Sequence, residues 1–194
     1  MPDKFVYLAS RSPRRADLLS QLGVRFELVD VDVDESARAG EAVEAYVTRL
    51  ARAKVEAARA RLGSRASNPI LAADTAVALD GVIFGKPGGR SEALEMLRRL
   101  SACSHQVLSA VAVYAAGALH TAVSTSQVSF RAISAAEAAA YWDSGEPADK
   151  AGSYAIQGRG AMFVERLAGS YSGVVGLPLY ETAQLLRAAG LRIL

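Results

Sequence analysis

The chain has 194 residues, a formal net charge of +2 and a hydrophobic fraction of 51%. This apolar fraction excludes disorder as the default state, and the length is sufficient for one domain with a substantial core, which we predict over residues 1–194. The mild charge does not by itself favour nucleic-acid binding. Cys103 is the single cysteine, which excludes an internal disulfide and indicates a reducing, cytoplasmic compartment.

Neither a signal peptide nor a membrane-spanning helix is predicted. Arg11, Arg14 and Arg15 interrupt the early apolar stretch that a signal peptide would need. The longest apolar run, around residues 108–119, is shorter than the ~20 residues that a transmembrane helix requires.

The chain begins with a predicted strand, turn and helix. Residues 5–9 have the pattern of a short buried strand, and Ser12 is predicted to cap a helix that ends at Gly23. Arg14 and Arg15 fall in the first helical turn, where the helix dipole places about half a positive charge. A bound anion would offset the resulting repulsion, because it would meet free backbone N–H groups and two guanidinium groups together. The alternative is that both arginines are solvated surface residues.

A long helix is predicted over residues 41–62, after a strand and turn in residues 24–35 that end in acids, the last of which is Glu35. Lys54 lies within the apolar stripe of this helix, beside residues such as Leu50. A lysine on this face either snorkels at the edge of the stripe, which is the commoner case, or points into a cleft.

Asp74 interrupts an otherwise apolar strand predicted over residues 70–79, which turns at residues 80 and 81 and returns through residues 82–84. A buried ionised carboxylate is unfavourable unless a cation, a metal or hydrogen-bond donors pair with it. Asp74 could instead cap a turn at the strand end, but the apolar residues that follow it favour a functional role. Lys86 then follows the hairpin in a rigid Gly-Lys-Pro turn.

The next predicted elements are a helix, a long hairpin and a second helix. Ser91 is predicted to cap a helix that ends at Leu100, and antiparallel strands are expected at residues 105–114 and 119–130. A capping box of Ser134 with Glu137 indicates a further helix, reaching Trp142.

Glycines are densest in residues 145–176, which indicates turns and close approach of the backbone to another group. The last predicted helix extends from Pro178 to about Gly190. Strands and helices do not alternate strictly, and hairpins lie in the middle of the chain. This order predicts an α/β fold with a mixed, mostly antiparallel central sheet flanked by helices, rather than a doubly wound parallel sheet.

Several familiar site motifs are absent from the sequence. There is no P-loop, no Gly-x-Gly-x-x-Gly after a strand and no Gly-x-Ser-x-Gly elbow, and two histidines with one cysteine do not suffice for an ordinary zinc site. The candidate polar residues are instead donors and acids: Ser10, Arg14, Arg15, Lys54, Lys86, Lys150, Glu35, Asp74 and Asp149.

These residue types suit the hydrolysis of a phosphoanhydride without a covalent intermediate. Cations bind phosphate oxygens, and Mg²⁺ binds through one or two carboxylates together with substrate phosphates. A carboxylate among lysines stays ionised and can deprotonate an attacking water. Gln157 adds an amide with both a donor and an acceptor, which suits recognition of a nucleobase edge.

Five motifs in order resemble the Maf family of nucleotide pyrophosphatases over residues 5 to about 185. They are Leu8-Ala9-Ser10-Arg11-Ser12-Pro13-Arg14-Arg15, Ala73-Asp74-Thr75, Gly85-Lys86-Pro87, His105-Gln106-Val107 and the segment from Asp149 to Gly158. Each motif alone is modest, whereas five in the same order are highly specific. The resemblance implies a cleft between two lobes, with an architecture similar to that of inosine triphosphate pyrophosphatases.

The resemblance also implies an activity and roles for individual residues. The family cleaves nucleoside triphosphates between the α and β phosphates with a divalent metal, Mg²⁺ or Mn²⁺. Asp74 matches the proposed general base, and Glu35, Lys54 and Lys86 match further catalytic positions. Asp74 and Glu35 are the expected metal ligands, and which of these two carboxylates binds the metal and which activates water stays open. The matching substrate-binding positions are Ser10, Arg14, Arg15, Thr75 and Gln157.

Two branches of the family differ at the motifs, and this chain resembles the dTTP/UTP-preferring branch. The expected role is therefore cleaning of the nucleotide pool, with a nucleoside triphosphate as the partner, no nucleic acid, no membrane and a homodimer as the usual family assembly. Two alternatives stay open. One is a non-catalytic nucleotide or nucleic-acid binding module that affects cell division, and the other is the same reaction on 7-methyl-GTP or inosine triphosphate.

Overall fold

The computed structural model describes residues 5–193. Strands in this part of the chain form one seven-stranded sheet of order β2-β1-β3-β5-β6-β7, with β4 paired to β3. The strands are β1 (Val6–Leu8), β2 (Phe26–Leu28), β3 (Ile70–Leu79), β4 (Val82–Phe84), β5 (Ser104–Ala115), β6 (Ala118–Phe130) and β7 (Val164–Ala168). β1 runs parallel to β2 and β3, and the other pairs are antiparallel, which confirms the mixed, mostly antiparallel sheet.

Helices cover both faces of this sheet. They are α1 (Pro13–Gln21), α2 (Val43–Leu62), α3 (Arg90–Leu100), α4 (Ala135–Asp143), α5 (Tyr171–Val175) and α6 (Leu179–Ala188), with short 3₁₀ turns at Gly63–Arg65, Glu146–Asp149, Ala151–Ser153 and Arg159–Phe163. No helix within residues 5–193 is both long and apolar enough to cross a lipid bilayer. The interpretation of residues 1–194 as one domain stays a prediction.

The core is divided into three clusters. α2 packs on one face of β3 and β5, whose inward residues on that side have even numbers, such as Ala72 and Ala110. α1 and α6 pack on the opposite face, against odd-numbered residues such as Leu71 and Val111. The third cluster is rich in aromatic side chains and joins α3 and α4 to the far ends of the strands, around Phe130.

One edge of β3 is only partly paired, and this opening positions the site. β5 pairs with β3 from Ile70 to Ala78 along one side. On the other side, β1 pairs only at residues 70 and 71, and β4 only at residues 77–79. Residues 72–76 lie between these two partners. Because side chains alternate along a strand, Asp74 and Thr75 reach the opening from opposite faces of the sheet.

Of two expected helix caps, Ser91 is wrong, whereas Ser12 is confirmed in position. α3 begins at Arg90 with Gly89 at the N-cap, so Ser91 lies inside the first turn, and the Glu92 carboxylate accepts the Gly88 N–H at 2.7 Å. Ser12 does occupy the N-cap of α1, but its side chain makes no capping hydrogen bond.

Other predicted boundaries lie within a few residues of those observed, and the capping box of Ser134 with Glu137 is confirmed. The predicted strand in residues 24–35 is confined to the three residues of β2. Two short elements within residues 145–176, namely β7 and α5, were not predicted, because each has only five residues and shows too little periodicity to be recognised.

Candidate active site

A cleft of about 540 Å³ opens at the unpaired edge of β3. This volume lies in the range of small-molecule sites. The cleft is lined by every residue that the sequence singled out as a site candidate: Ser10, Arg14, Arg15, Glu35, Lys54, Asp74, Thr75, Lys86 and Gln157. Residues from six separate segments of the chain therefore converge on one concave surface.

Lys54 joins the two candidate catalytic acids. Its Nζ lies 2.7 Å from Oδ1 of Asp74 and 2.6 Å from Oε1 of Glu35. Lys54 and Asp74 are buried, at 8% and 6% exposure, while the Glu35 side chain is about half exposed. Lys54 thus points into the cleft instead of snorkelling to the surface. Burial raises the pKa of Glu35, but the hydrogen bond and charge of Lys54 outweigh this effect and hold that pKa below its usual value.

The start of α1 forms a cationic end of the cleft. Ser10 is buried, and its Oγ accepts hydrogen bonds from the Ser12 N–H at 3.1 Å and from Nη1 of Arg15 at 3.5 Å. Nε of Arg15 donates to the Gly176 carbonyl at 2.9 Å, which fixes the guanidinium plane. Burial lowers the pKa of Arg15, and the nearby Asp74 carboxylate opposes that change.

Arg14 and Lys150 meet Asp149 at the rim of the cleft. Nη1 of Arg14 lies 3.4 Å from Oδ2 of Asp149, and Lys150 forms an ion pair with the same carboxylate. Lys86 is exposed on the rim, forms no ion pair with any residue in 5–193, and contributes to lowering the pKa of Glu35. Three cations therefore surround the cleft mouth.

Thr75 is held on the face opposite Asp74. Its hydroxyl shares a hydrogen bond with Oγ of Ser109 at 2.7 Å and lies 3.4 Å from the Gly176 carbonyl. Ser109 is fully buried and donates to the Gly173 carbonyl at 2.6 Å. This chain of hydroxyl groups ties α5 to the strand that carries Asp74.

One carboxylate oxygen on each candidate metal ligand remains available. No residue in 5–193 donates a hydrogen bond to Oδ2 of Asp74 or Oε2 of Glu35, because Lys54 contacts the other oxygen of each group. Within the same residues, no group of three His, Cys, Asp or Glu side chains could hold a metal ion. Two carboxylates fit a hard divalent cation that takes its other ligands from water and phosphate oxygens.

A family model described as Maf-like protein matches residues 5–189. The chain belongs to the Maf family. Curated Maf relatives named dTTP/UTP pyrophosphatase include one from Cupriavidus pinatubonensis, which is 54% identical over 97% of this chain and 98% of that protein. Another, from Methylococcus capsulatus, is 54% identical over 97% and 93% of the two chains, and one from Polaromonas sp. is 52% identical over 97% and 98%.

A solved structure, that of the Staphylococcus aureus Ham1 protein, also matches this Maf chain. Its TM-score is 0.42 at 11% identity, and the match covers 66% of this chain and 72% of that chain. A likeness at this level supports no argument about the function of the Maf chain.

The cleft of this Maf chain also includes Tyr46, which sequence reasoning missed, and Tyr154, which lies in the motif from Asp149 to Gly158. The Tyr46 hydroxyl donates to the Glu35 carbonyl at 2.9 Å, and burial, together with the charges of Asp74 and Glu35, raises the pKa of Tyr46 to about 12. Tyr46 lies two helical turns before Lys54 on the same stripe of α2, so the helical period could have indicated that it faces the same side as Lys54. Tyr154 hydrogen-bonds Nε2 of His105 at 2.8 Å, a pairing across the chain that no local pattern indicates.

Proposed function

We propose that this chain hydrolyses dTTP and UTP between the α and β phosphates, releasing the nucleoside monophosphate and pyrophosphate. The observation that carries the proposal is the buried Asp74 carboxylate, held 2.7 Å from the Lys54 ammonium in a cleft rimmed by guanidinium and ammonium groups. The names of the curated relatives, at 52–54% identity, support the choice of pyrimidine nucleotides.

In the proposed reaction, Asp74 orients a water molecule and accepts its proton. The water oxygen attacks the α-phosphorus, and the bond from that phosphorus to the bridging oxygen of the β-phosphate breaks. Lys54 holds the Asp74 carboxylate in place through the ion pair with its Oδ1. Arg15, Lys86 and the N-terminus of α1 stabilise the negative charge that grows on the departing pyrophosphate.

A divalent cation, Mg²⁺ or Mn²⁺, belongs to this proposal. Asp74 and Glu35 would hold the ion through the oxygens that Lys54 does not contact, and because a carboxylate oxygen has two lone pairs, Oδ2 of Asp74 could still accept the proton of the water. When bound, the ion would supply positive charge to the phosphate oxygens. Lys54 would then limit the repulsion between the two carboxylates and keep both directed into the cleft.

The nucleobase would be selected at the rim of the cleft. We assign Arg14, Thr75 and Gln157 to this role by resemblance to the family. Gln157 is exposed and offers both a donor and an acceptor, which suits the imide edge shared by uracil and thymine. Ser10 would bind phosphate together with the arginines.

The proposed setting is the cytoplasm, where the enzyme would clean the nucleotide pool. A nucleoside triphosphate is the proposed partner, and the family resemblance implies a homodimer. Aromatic residues make up 7% of the chain and the net charge is +2, so the composition does not favour a nucleic-acid partner.

The proposal is tested by pyrophosphate release from UTP, dTTP, CTP, 7-methyl-GTP and inosine triphosphate with Mg²⁺. We expect turnover of UTP and dTTP and a loss of about 10²- to 10⁴-fold in kcat for Asp74→Asn, as for removal of a general base. Asp80→Asn is the matched control, because Asp80 lies exposed on the turn that follows the same strand.

Higher turnover of 7-methyl-GTP or inosine triphosphate would contradict the substrate assignment. Nucleotide binding without product would instead favour the non-catalytic alternative, and an active Asp74→Asn variant would contradict the base assignment.

A further inference from the structure

The backbone around residues 155–160 is wrapped about the carboxylate of Glu146. Oε2 of Glu146 accepts the Arg159 N–H at 2.9 Å, and Oε1 accepts the Gly160 N–H at 3.0 Å. The Tyr141 hydroxyl donates to the same Oε1 at 2.6 Å and accepts the Ala155 N–H at 3.1 Å. Three backbone donors of one short segment are therefore satisfied by two side chains of the preceding segment.

Two glycines of this segment make room for these groups. A Cβ at Gly158 would lie 2.3 Å from Oε2 of Glu146, and one at Gly160 would lie 2.6 Å from the Tyr141 hydroxyl. Neither distance is compatible with a side chain unless the contacting group moves. The Gly-x-Gly sequence that follows Gln157 is thus explained by Glu146 and Tyr141, not by a phosphate.

The anchor itself is rigid and lies outside the cleft. Tyr141 is 4% exposed, and its ring packs edge-on against that of Phe163 with the centroids 5.2 Å apart. Glu146 does not line the cleft and takes no part in the proposed hydrolysis. Its pKa is raised by burial, but the hydrogen bonds from Tyr141, Arg159 and Gly160 outweigh burial and lower it.

Gln157 depends on this anchor for its direction. It precedes the two glycines and lines the cleft, where it is exposed, and no residue in 5–193 hydrogen-bonds its side-chain amide. The backbone therefore sets where the side chain begins and which part of the cleft its amide can reach. A donor and an acceptor must be fixed in direction to distinguish one base edge from another, because a misplaced amide presents the wrong group.

We propose that Glu146, with Tyr141, is a positioning residue for nucleobase selection: its carboxylate fixes the backbone of residues 155–160 and thereby places the Gln157 amide at the rim of the cleft. This inference rests on the proposed function, because it concerns the selectivity of that same site. The reacting groups Asp74 and Lys54 make no contact with the anchor. Disturbing the anchor should therefore change base recognition more than the chemical step.

The test uses Glu146→Gln, which keeps the volume but turns a donor toward the backbone N–H groups. The measurements are kcat and KM for UTP, dTTP, CTP and GTP, and calorimetric affinities for UMP and CMP. We expect KM for UTP to rise about tenfold, kcat to change less than about threefold, and the preference for UTP over CTP and for UMP over CMP to fall about tenfold. Tyr141→Phe should act in the same direction but less. Glu165→Gln, an exposed glutamate on β7, is the matched control and should change nothing.

Hydrogen exchange of the Arg159 and Gly160 amides reports the anchor directly and should accelerate in Glu146→Gln. Faster exchange with unchanged KM and unchanged base preference would overturn the inference, as would equal losses of kcat for all four triphosphates. If Glu146→Gln does not fold, the same measurements on Tyr141→Phe test the inference instead. A wild-type chain that prefers UMP without hydrolysing UTP contradicts the proposed function alone, and the affinity ratio still tests Glu146. A wild-type chain that binds and hydrolyses all bases equally contradicts both the proposed function and the inference about Glu146.

Discussion

The ammonium group of Lys54 and the carboxylate of Asp74 form a buried ion pair, with Nζ and Oδ1 2.7 Å apart. Both side chains are about nine-tenths buried, at the point where β3 has no strand partner on one side. A buried carboxylate without a cation is strongly unfavourable, so the ammonium of Lys54 offsets the cost of placing Asp74 in the interior. Stability and the proposed chemistry therefore depend on the same contact.

Lys54→Met should destabilise the fold and abolish turnover together. Methionine keeps the apolar stem but leaves Asp74 and Glu35 without the shared ammonium, and the expected loss in free energy of unfolding is about 2–4 kcal/mol. Urea unfolding and pyrophosphate release measure the two effects. Arg52→Met, exposed on the same helix, is the control and should change stability by less than about 0.5 kcal/mol. An unchanged unfolding midpoint for Lys54→Met would rule out the structural role of the pair.

Asp149→Asn should tighten the binding of triphosphates. Asp149 engages both Arg14 and Lys150 at the rim, where the phosphate oxygens of a substrate would compete for the same cations. Since these groups are partly exposed, we expect KM for UTP to fall only about two- to fivefold, and less at high salt. Asp143→Asn, exposed at the end of α4, serves as the comparison. A rise in KM would mean that Asp149 itself contributes to substrate binding.

His105 should make the fold less stable in mild acid. Burial lowers its pKa from 6.5 to about 4, and the ring is neutral in the native state. The unfolded chain binds a proton below about pH 6.5, so this contribution to stability is complete above that pH and is lost as the pH falls toward 4. The loss can reach about 1.4 kcal/mol per pH unit.

The comparison is urea unfolding at about pH 7 and about pH 5 for wild type and His105→Gln, in which the glutamine keeps a donor near Tyr154 but does not titrate. We expect a smaller acid loss in this variant. His120→Gln, which removes the exposed histidine of β6, should behave like wild type. Equal acid losses in wild type and His105→Gln would refute the assignment.

Removal of divalent metal should abolish turnover. EDTA is expected to stop pyrophosphate release, and added Mg²⁺ to restore it. Glu35→Gln weakens one of the two proposed ligands, so it should raise the Mg²⁺ concentration for half-maximal rate about tenfold. Glu27→Gln, exposed on β2, should leave that concentration unchanged. Full activity in EDTA would exclude the proposed cation.

Much of the fold and several site candidates could be predicted from local patterns. The apolar run around Asp74 predicts its burial, because that signal depends only on the period of the element. The helical stripe places Lys54 on the inward face of its helix but leaves open whether its ammonium snorkels to the surface or points into a cleft. The arginines that follow Pro13 likewise indicate an anion site through the chemistry of a helix start. Predicted caps were less reliable: Ser91 is not the N-cap of α3, because that position is occupied by Gly89, which makes no side-chain capping hydrogen bond.

Long-range packing determines how these parts meet. Lys54 and Asp74 are 20 positions apart, Arg14 and Asp149 are 135 apart, and Arg15 and Gly176 are 161 apart. Local periodicity indicates which face of an element is buried but not which distant residue it will meet, and the gap beside β3 exists only because β1 and β4 each cover part of one edge. The carboxylate of Glu146 is the clearest case. The glycines after Gln157 indicate that the backbone approaches some group closely, whereas the identity of that group depends on the folding of α4 against the third core cluster.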